Sequence, residues 1–368
     1  MKKNLFAIAL LAVTSASASA QSITEKYQRF LTDPYGYVAY RTQSEIKIDG
    51  VLDEADWYKA SWTEPFVDIS GEGFPTPRYE TRAKMMWDDK YLYIGAYLSE
   101  PNIWGDIKNH DEVVYYNPDF EVFIDPDGDG QNYFEIETNA IGTLFELFVQ
   151  KPYRAQTRAF VTFSWDAQGI KLDTHHYGTL NDARDTDKAW SVEMAIPREA
   201  IAAEFDNYLK AGNYLRIGFS RVEWQTEVDA DGKTKRKQVD GKYLPEDNWT
   251  WGATGQVAMH MPERWGYLNL SDKTVGEGNE TFAYPKTRNE EKLLWAMFYA
   301  QEDQFKNAGK YFGKLKDFKF TAAEKALIPE GATITVEAIA NKFEITLHKA
   351  DGSSVSIDEN GYLLKKDK

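Results

Sequence analysis

The sequence predicts a mainly β fold, an antiparallel β-sandwich followed by a C-terminal appendage of a helix and a small β-meander. Three observations lead there. From about Val38 to Leu270, short segments alternate apolar and polar residues between clusters of Gly, Pro, Asn and Asp. Helical periodicity is scarce in that span, which disfavours an α/β fold. After Leu270 the pattern changes to a polar, Gly-containing stretch and then to a capped helical one.

Residues 1–20 read as a cleaved secretory signal. Lys2 and Lys3 open it, residues 5–13 are apolar but too few to span a bilayer, and Ala18-Ser19-Ala20 precedes Gln21. Residues 83–87 and 91–97 form a hairpin around Asp88-Asp89-Lys90, and residues 120–124 and 133–137 flank a loop of Asp and Gly. Trp190, Val192, Met194 and Ile196 alternate with Ser191, Glu193 and Ala195. Pro197 then ends the strand and suits a short helix over residues 198–205. Leu215, Ile217 and Phe219 repeat the two-residue period. Residues 38–270 make up the sandwich and residues 271–284 a linker. In the appendage, residues 285–368, Thr287 and Glu290 have capping-box spacing before a helix that continues to about Leu315. Residues 333–336, 343–347 and 355–357 form the meander.

Composition narrows the function. The 368 residues include no cysteine, which excludes disulfides, thiolate nucleophiles, Cys-ligated metals and covalent haem attachment. Lys and Arg number 43 against 58 Asp and Glu, a net charge of −15, which repels phosphate backbones and argues against nucleic acid as a partner. Loss of Lys2 and Lys3 with the signal makes it −17, since −15 − 2 = −17. No membrane anchor is read in the mature chain, so it is expected to be periplasmic or secreted. Eleven Trp and 22 Tyr exceed what a core needs.

The most chemical stretch joins the 120–124 and 133–137 strands. Asp125, Asp127 and Asp129 alternate with Pro126, Gly128 and Gly130, a pattern that aims several oxygens at one hard cation. An EF-hand is rejected, because its twelfth position is Ile136 and its flanks are strands. A structural calcium ion in a hairpin loop and a plain polar turn remain the two readings. Strand parity places Glu121, Glu135 and Glu137 with Tyr133 on the face opposite Val122 and Ile136. Carboxylates beside aromatic rings suit sugars, because acceptors take hydroxyl hydrogens while rings cover the C–H face. A solvated outer sheet face is the alternative.

Five motifs in order, at residues 48–57, 87–94, 119–125, 190–197 and 262–266, resemble carbohydrate-binding module family 9 and related DOMON-like, jelly-roll or immunoglobulin-like sandwiches. The resemblance covers roughly residues 40–270. It implies a sandwich that binds sugars, works beside glycan-degrading enzymes and carries structural calcium. It also implies an aromatic clamp of two Trp. Tyr115 and Tyr116 stand in the first region here, and Met259 and His260 in the second, so the clamp is half kept. Glu121 matches a polar binding position of the family, while Glu135 stands where the family tends to carry a base.

Trp57, Trp87, Trp190 and Trp265 are assigned to the core. Trp104, Trp165, Trp224, Trp249 and Trp251 lie in polar, turn-rich surroundings and are expected to meet ligand, with Trp224, Trp249 and Trp251 able to supply the missing plane. Arg221 and Glu223 end a strand beside Trp224, either as sugar contacts or as a surface salt bridge. The expected function is an exported carbohydrate-binding protein that supports polysaccharide breakdown, with a glycan as partner and a glycan-degrading enzyme as a further one. Two alternatives stand. One is a hydrolase of O-glycosyl bonds using a carboxylate pair. The other is a haem-binding redox sandwich, with Met85, Met86, Met259, His260 and Met261 as candidate ligands.

Overall fold

The structure, a computed structural model, describes residues 22–155, 160–202 and 210–368. The signal segment lies outside these residues, as does the end of the helix expected over 198–205, whose first residues form turns. Eleven strands follow in chain order: β1 (Gly36–Arg41), β2 (Thr81–Trp87), β3 (Tyr91–Ser99), β4 (Asp119–Asp125), β5 (Tyr133–Asn139), β6 (Leu144–Val149), β7 (Lys171–His176), β8 (Ala189–Pro197), β9 (Tyr214–Glu223), β10 (Asp247–Thr250) and β11 (Gly266–Thr274).

They form most of one curled, thirteen-stranded sheet in the order β6-β5-β4-β9-β11-β1-β2-β3-β8-β7, with β10 paired to β9 beside that path and two two-residue strands, Val67–Asp68 on β10 and Val161–Thr162 on β6, completing it. Neighbours are antiparallel except at β1, which runs parallel to both β11 and β2. The sheet folds onto itself, because one apolar cluster contains the inner rows of both halves. Phe120, Val122 and Ile124 of β4 and Ile217 and Phe219 of β9 meet Ile94 and Leu98 of β3 and Trp190, Val192 and Met194 of β8. That arrangement is a β-sandwich.

Local chemistry explains the turns and two of the motifs. Asp88 Oδ1 accepts from the amides of Lys90 and Tyr91, both at 2.7 Å, which closes the β2–β3 hairpin. The segment before β2 docks on β8 through one buried carboxylate. Glu193 accepts from Trp57 Nε1 at 2.7 Å and from the amides of Asp49 and Gly50. The motifs at 48–57 and 190–197 are thus two halves of one structural contact.

Four expectations change beyond the sandwich. The segment read as a linker is tied to it: β11 runs on to Thr274, and Phe282 and Tyr284 pack on Tyr267. The helix α1 (Arg288–Ala308) stops seven residues before Leu315, because Gly309 adopts the left-handed conformation at φ 65° and caps it. Thr287 does start the helix, yet its hydroxyl bonds Glu291 at 2.7 Å rather than forming the expected capping box. The meander has four strands, β12 (Thr333–Ala338), β13 (Phe343–His348), β14 (Ser354–Asp358) and β15 (Leu363–Lys366). Its apolar face and α1 share a second core with Tyr27, Phe30 and Leu31 from the start of the described chain.

Candidate functional site

The outer face of β6-β5-β4-β9 is not a plain solvated surface. Register sets Glu121 opposite Glu137, Phe123 opposite Glu135, and Glu135 and Glu137 opposite Leu147 and Phe145. Side chains directly opposite across strands touch, so these residues form one floor. Every residue of β4 and β5 is buried, which means both faces of this part of the sheet are covered. On the outer side the cover is a cluster of Phe123, Tyr133, Phe145, Leu147 and Trp265. Gly218 makes room for it, since a Cβ there would stand 2.7 Å from both Met259 Cε and Trp265 Cδ1.

Above the floor lies a cleft of about 360 Å³. Tyr115, Glu121, Glu135, Glu137 and His260, five of the residues expected at a sugar site, line it together. Tyr153 and Phe163, each at least half exposed, rise from loops at its rim, and Glu246 and Asn248 add polar groups. The rim aromatics had no clear signal in the sequence, because nothing local says which loop residue folds back over a sheet. Phe145 and Leu147 could have been found by extending strand parity to β6.

Burial dominates the electrostatics. It pushes the carboxyl of Glu121 up to about 7, against hydrogen bonds from Ser220 and Asp119 that lower it. Burial with the charge of Glu121 raises Glu135 to about 8, and burial with Glu121 and Glu135 carries Glu137 well above the carboxylate range. His260 is pushed down to about 3 by burial, so its ring is neutral at physiological pH. It shares a 2.8 Å hydrogen bond between Nδ1 and the Tyr133 hydroxyl, and its edge meets the Tyr153 ring at 4.1 Å. The cleft therefore offers oxygen acceptors, a neutral imidazole and aromatic faces, with no Lys or Arg among the described residues that line it.

The other expected contacts are elsewhere. Trp249 and Trp251 are 3% and 2% exposed and belong to the sandwich core. They were expected to meet ligand because their neighbours are polar, but β10 lays Trp249 against β9 and Trp251 follows it, its amide donating to the Phe219 carbonyl at 3.0 Å, so that both rings fill the space between the two halves. Trp224 is buried too, its Nε1 donating to the Tyr115 carbonyl at 2.8 Å, so it supports the cleft wall from behind. Trp104 is buried, and Trp165 packs against the core. Tyr116 is exposed, its ring tilted against that of Tyr115 with centroids 4.5 Å apart, and it does not line the cleft. Arg221 is fully buried and bonded to Glu100 and Glu223, so neither the sugar contact nor the surface salt bridge describes it. Met85, Met86 and Met261 pack in hydrophobic clusters.

The Asp125–Asp129 loop lies at the far end of β4. One carboxylate oxygen from each of Asp125, Asp127 and Asp129 lies within 4.8 Å of the others. Asp125 is buried and accepts from the amides of Gly128 and Gly130, both at 2.9 Å. Burial and repulsion from Asp129 and Asp127 hold its carboxyl well above the usual range. Three carboxylate oxygens this close together fit a hard cation. The amide of Leu363 donates to the Asp129 carbonyl at 2.8 Å, tying the loop to the appendage.

The sandwich and its outer-face cleft define a β-sandwich ligand-binding domain. Residues 48–273 match the family described as carbohydrate family 9 binding domain-like, and the chain belongs to that family. A stretch of 89 residues, 24% of this chain, is 36% identical to part of the exoglucanase XynX of Acetivibrio thermocellus and spans 7% of that enzyme. Among solved structures, a candidate carbohydrate-binding protein from Bacteroides uniformis ATCC 8492 is 15% identical, covers 64% of this chain and 99% of that one, and has a TM-score of 0.48. A family 9 carbohydrate-binding module from Caldicellulosiruptor kristjanssonii, in complex with cellotriose, is 15% identical over 67% of this chain and 100% of that one, with a TM-score of 0.39.

Proposed function

We propose that this is an exported, periplasmic or secreted carbohydrate-binding protein that holds a glycan in the Glu121–Glu135–Glu137 cleft and supports polysaccharide breakdown beside a glycan-degrading enzyme. The observation that carries the reading is the pairing of those carboxyl groups with the Tyr115, Tyr153 and Phe163 rings in one cleft. Each ring covers a C–H face, and each carboxyl oxygen accepts a hydroxyl hydrogen. Among the described residues no helix is long and apolar enough to cross a membrane.

A glycan array followed by calorimetry tests it. Binding of at least one oligosaccharide is expected, weakened about tenfold by Tyr153→Ala, with the melting temperature unchanged because that ring is half exposed. No binding to any glycan ends the reading. The carboxyl groups keep O-glycosyl hydrolysis as a second reading. Release of reducing sugar from the hits, abolished by Glu121→Gln, would establish it in place of simple binding.

A calcium ion on Asp125, Asp127 and Asp129 is proposed as a structural element. Excess calcium is expected to raise the melting temperature of chelator-treated protein, with about 2.7 kcal/mol available at a hundredfold excess over Kd. The double variant Asp127→Asn/Asp129→Asn should lose that response. An unchanged melting temperature in the unmutated protein would remove the ion.

A further inference from the structure

The floor of the cleft gathers more buried carboxyl groups than its surroundings answer. Asp119, Glu121 and Glu137 are 0%, 7% and 4% exposed, and one oxygen from each lies within 4.8 Å of the others. Oxygens that share a calcium ion, each about 2.3–2.6 Å from it, stand no more than about 5 Å apart, so this spacing suits a single ion. Asp119 Oδ1 accepts from the Val222 amide at 2.8 Å. Its Oδ2, Glu137 Oε2 and the Oε2 of adjoining Glu135 find no partner among the described residues other than neighbouring carboxyl groups. Orphaned oxygens at this depth are costly, and each asks for a donor or a cation.

Among the described residues nothing nearby supplies the missing positive charge. Arg221 acts on Asp119 through its field, yet its guanidinium is already bonded to Glu100 at 2.8 Å and Glu223 at 2.6 Å. Against that single cation stand six buried carboxyl groups: Asp119, Glu121, Glu135, Glu137, Glu100 and Glu223. A neutral sugar brings no charge to offset them.

We propose that Asp119, Glu121 and Glu137 bind a divalent, oxygen-preferring cation of the calcium class beneath the cleft, at a site separate from the Asp125–Asp129 loop. The donor set is oxygen only, which selects hard ions. Asp119 begins β4 and Asp125 ends it, which separates the two sites by about 20 Å at roughly 3.3 Å per residue. Glu121 and Glu137 line the cleft and Asp119 stands two residues before Glu121 on the same strand, so the ion is reached from the solvent side.

The test uses calcium alone, without sugar, so that its outcome is independent of the glycan reading. Calcium is titrated calorimetrically into chelator-stripped, full-length protein carrying Asp127→Asn and Asp129→Asn. One equivalent is expected to bind, and adding either Glu137→Gln or Asp119→Asn should weaken that binding at least tenfold, with circular dichroism confirming the fold. Absence of binding overturns the proposal and leaves protons as the groups that neutralise the cluster. Binding that survives both substitutions overturns it as well. Should the variants not fold, crystals of unmutated protein soaked in manganese decide the matter: an anomalous peak within about 2.6 Å of the three carboxylates supports the site, and its absence there refutes it.

Discussion

Replacing Arg221 by alanine is expected to cost about 3–5 kcal/mol of stability, read as a lower midpoint in urea unfolding. The side chain is fully buried and donates to Thr81 Oγ1, the Ser99 carbonyl, Glu100 and Glu223. Its removal leaves two carboxylates, 4% and 2% exposed, without their cation. Combining Arg221→Met with Glu100→Gln and Glu223→Gln should recover most of the loss, because no charge then remains buried. The pH dependence has a definite sign. Burial and the charge of Glu223 already hold the Glu100 carboxyl well above its usual range, and Arg221 pulls it down. Without Arg221 the folded-state value rises further above the unfolded one. The part of the variant's deficit that comes from Glu100 is therefore absent below the folded value of the unmutated protein, where the group is protonated in both, and grows above it as pH climbs toward the variant's higher value. A deficit independent of pH would sink this account.

Trp251→Ala is expected to lower stability by a similar amount, about 3–5 kcal/mol. The ring lies 5.7 Å from Phe219 and 6.1 Å from Tyr35, and its Nε1 donates to Glu64 at 3.1 Å. The backbone of β11 packs directly against it, since a Cβ at Gly266 would come within 2.4 Å of Trp251 Cζ3. Deleting the ring opens a cavity between strands that cannot move together without breaking the β9–β11 ladder. Glycan affinity per folded molecule should be unchanged. Calorimetry well below the melting temperature checks this, and a tenfold loss of affinity at unchanged stability would return Trp251 to the ligand.

Both substitutions concern residues that the sequence pointed toward a sugar and the fold placed inside. The inference from polar neighbours to exposure failed at Trp249 and Trp251 for a specific reason. A four-residue strand has polar flanks wherever it lies, and only its pairing with β9, continued by the Trp251 amide on the Phe219 carbonyl, decides whether the two rings meet water or core. Strand parity succeeded where it was applied. Placing Glu121, Glu135 and Glu137 on one face needed only the two-residue period, and the observed register sets Glu121 against Glu137. The same rule was silent about Tyr153 and Phe163, because loop residues have no period.

By itself the sequence determined the sandwich and the carboxyl-bearing face, since alternation and turn chemistry are local properties that neighbouring residues state directly, and the family followed from the resemblance of five ordered motifs. Only the tertiary structure decided which aromatic residues reach the cleft, that Arg221 is an internal ion-pair partner, and that Asp119 joins Glu121 and Glu137 beneath the floor. Those facts depend on which strands and loops come together across the chain. The aromatic excess divides accordingly: most of the Trp rings fill the sandwich, while Tyr115, Tyr153 and Phe163 stand at the cleft.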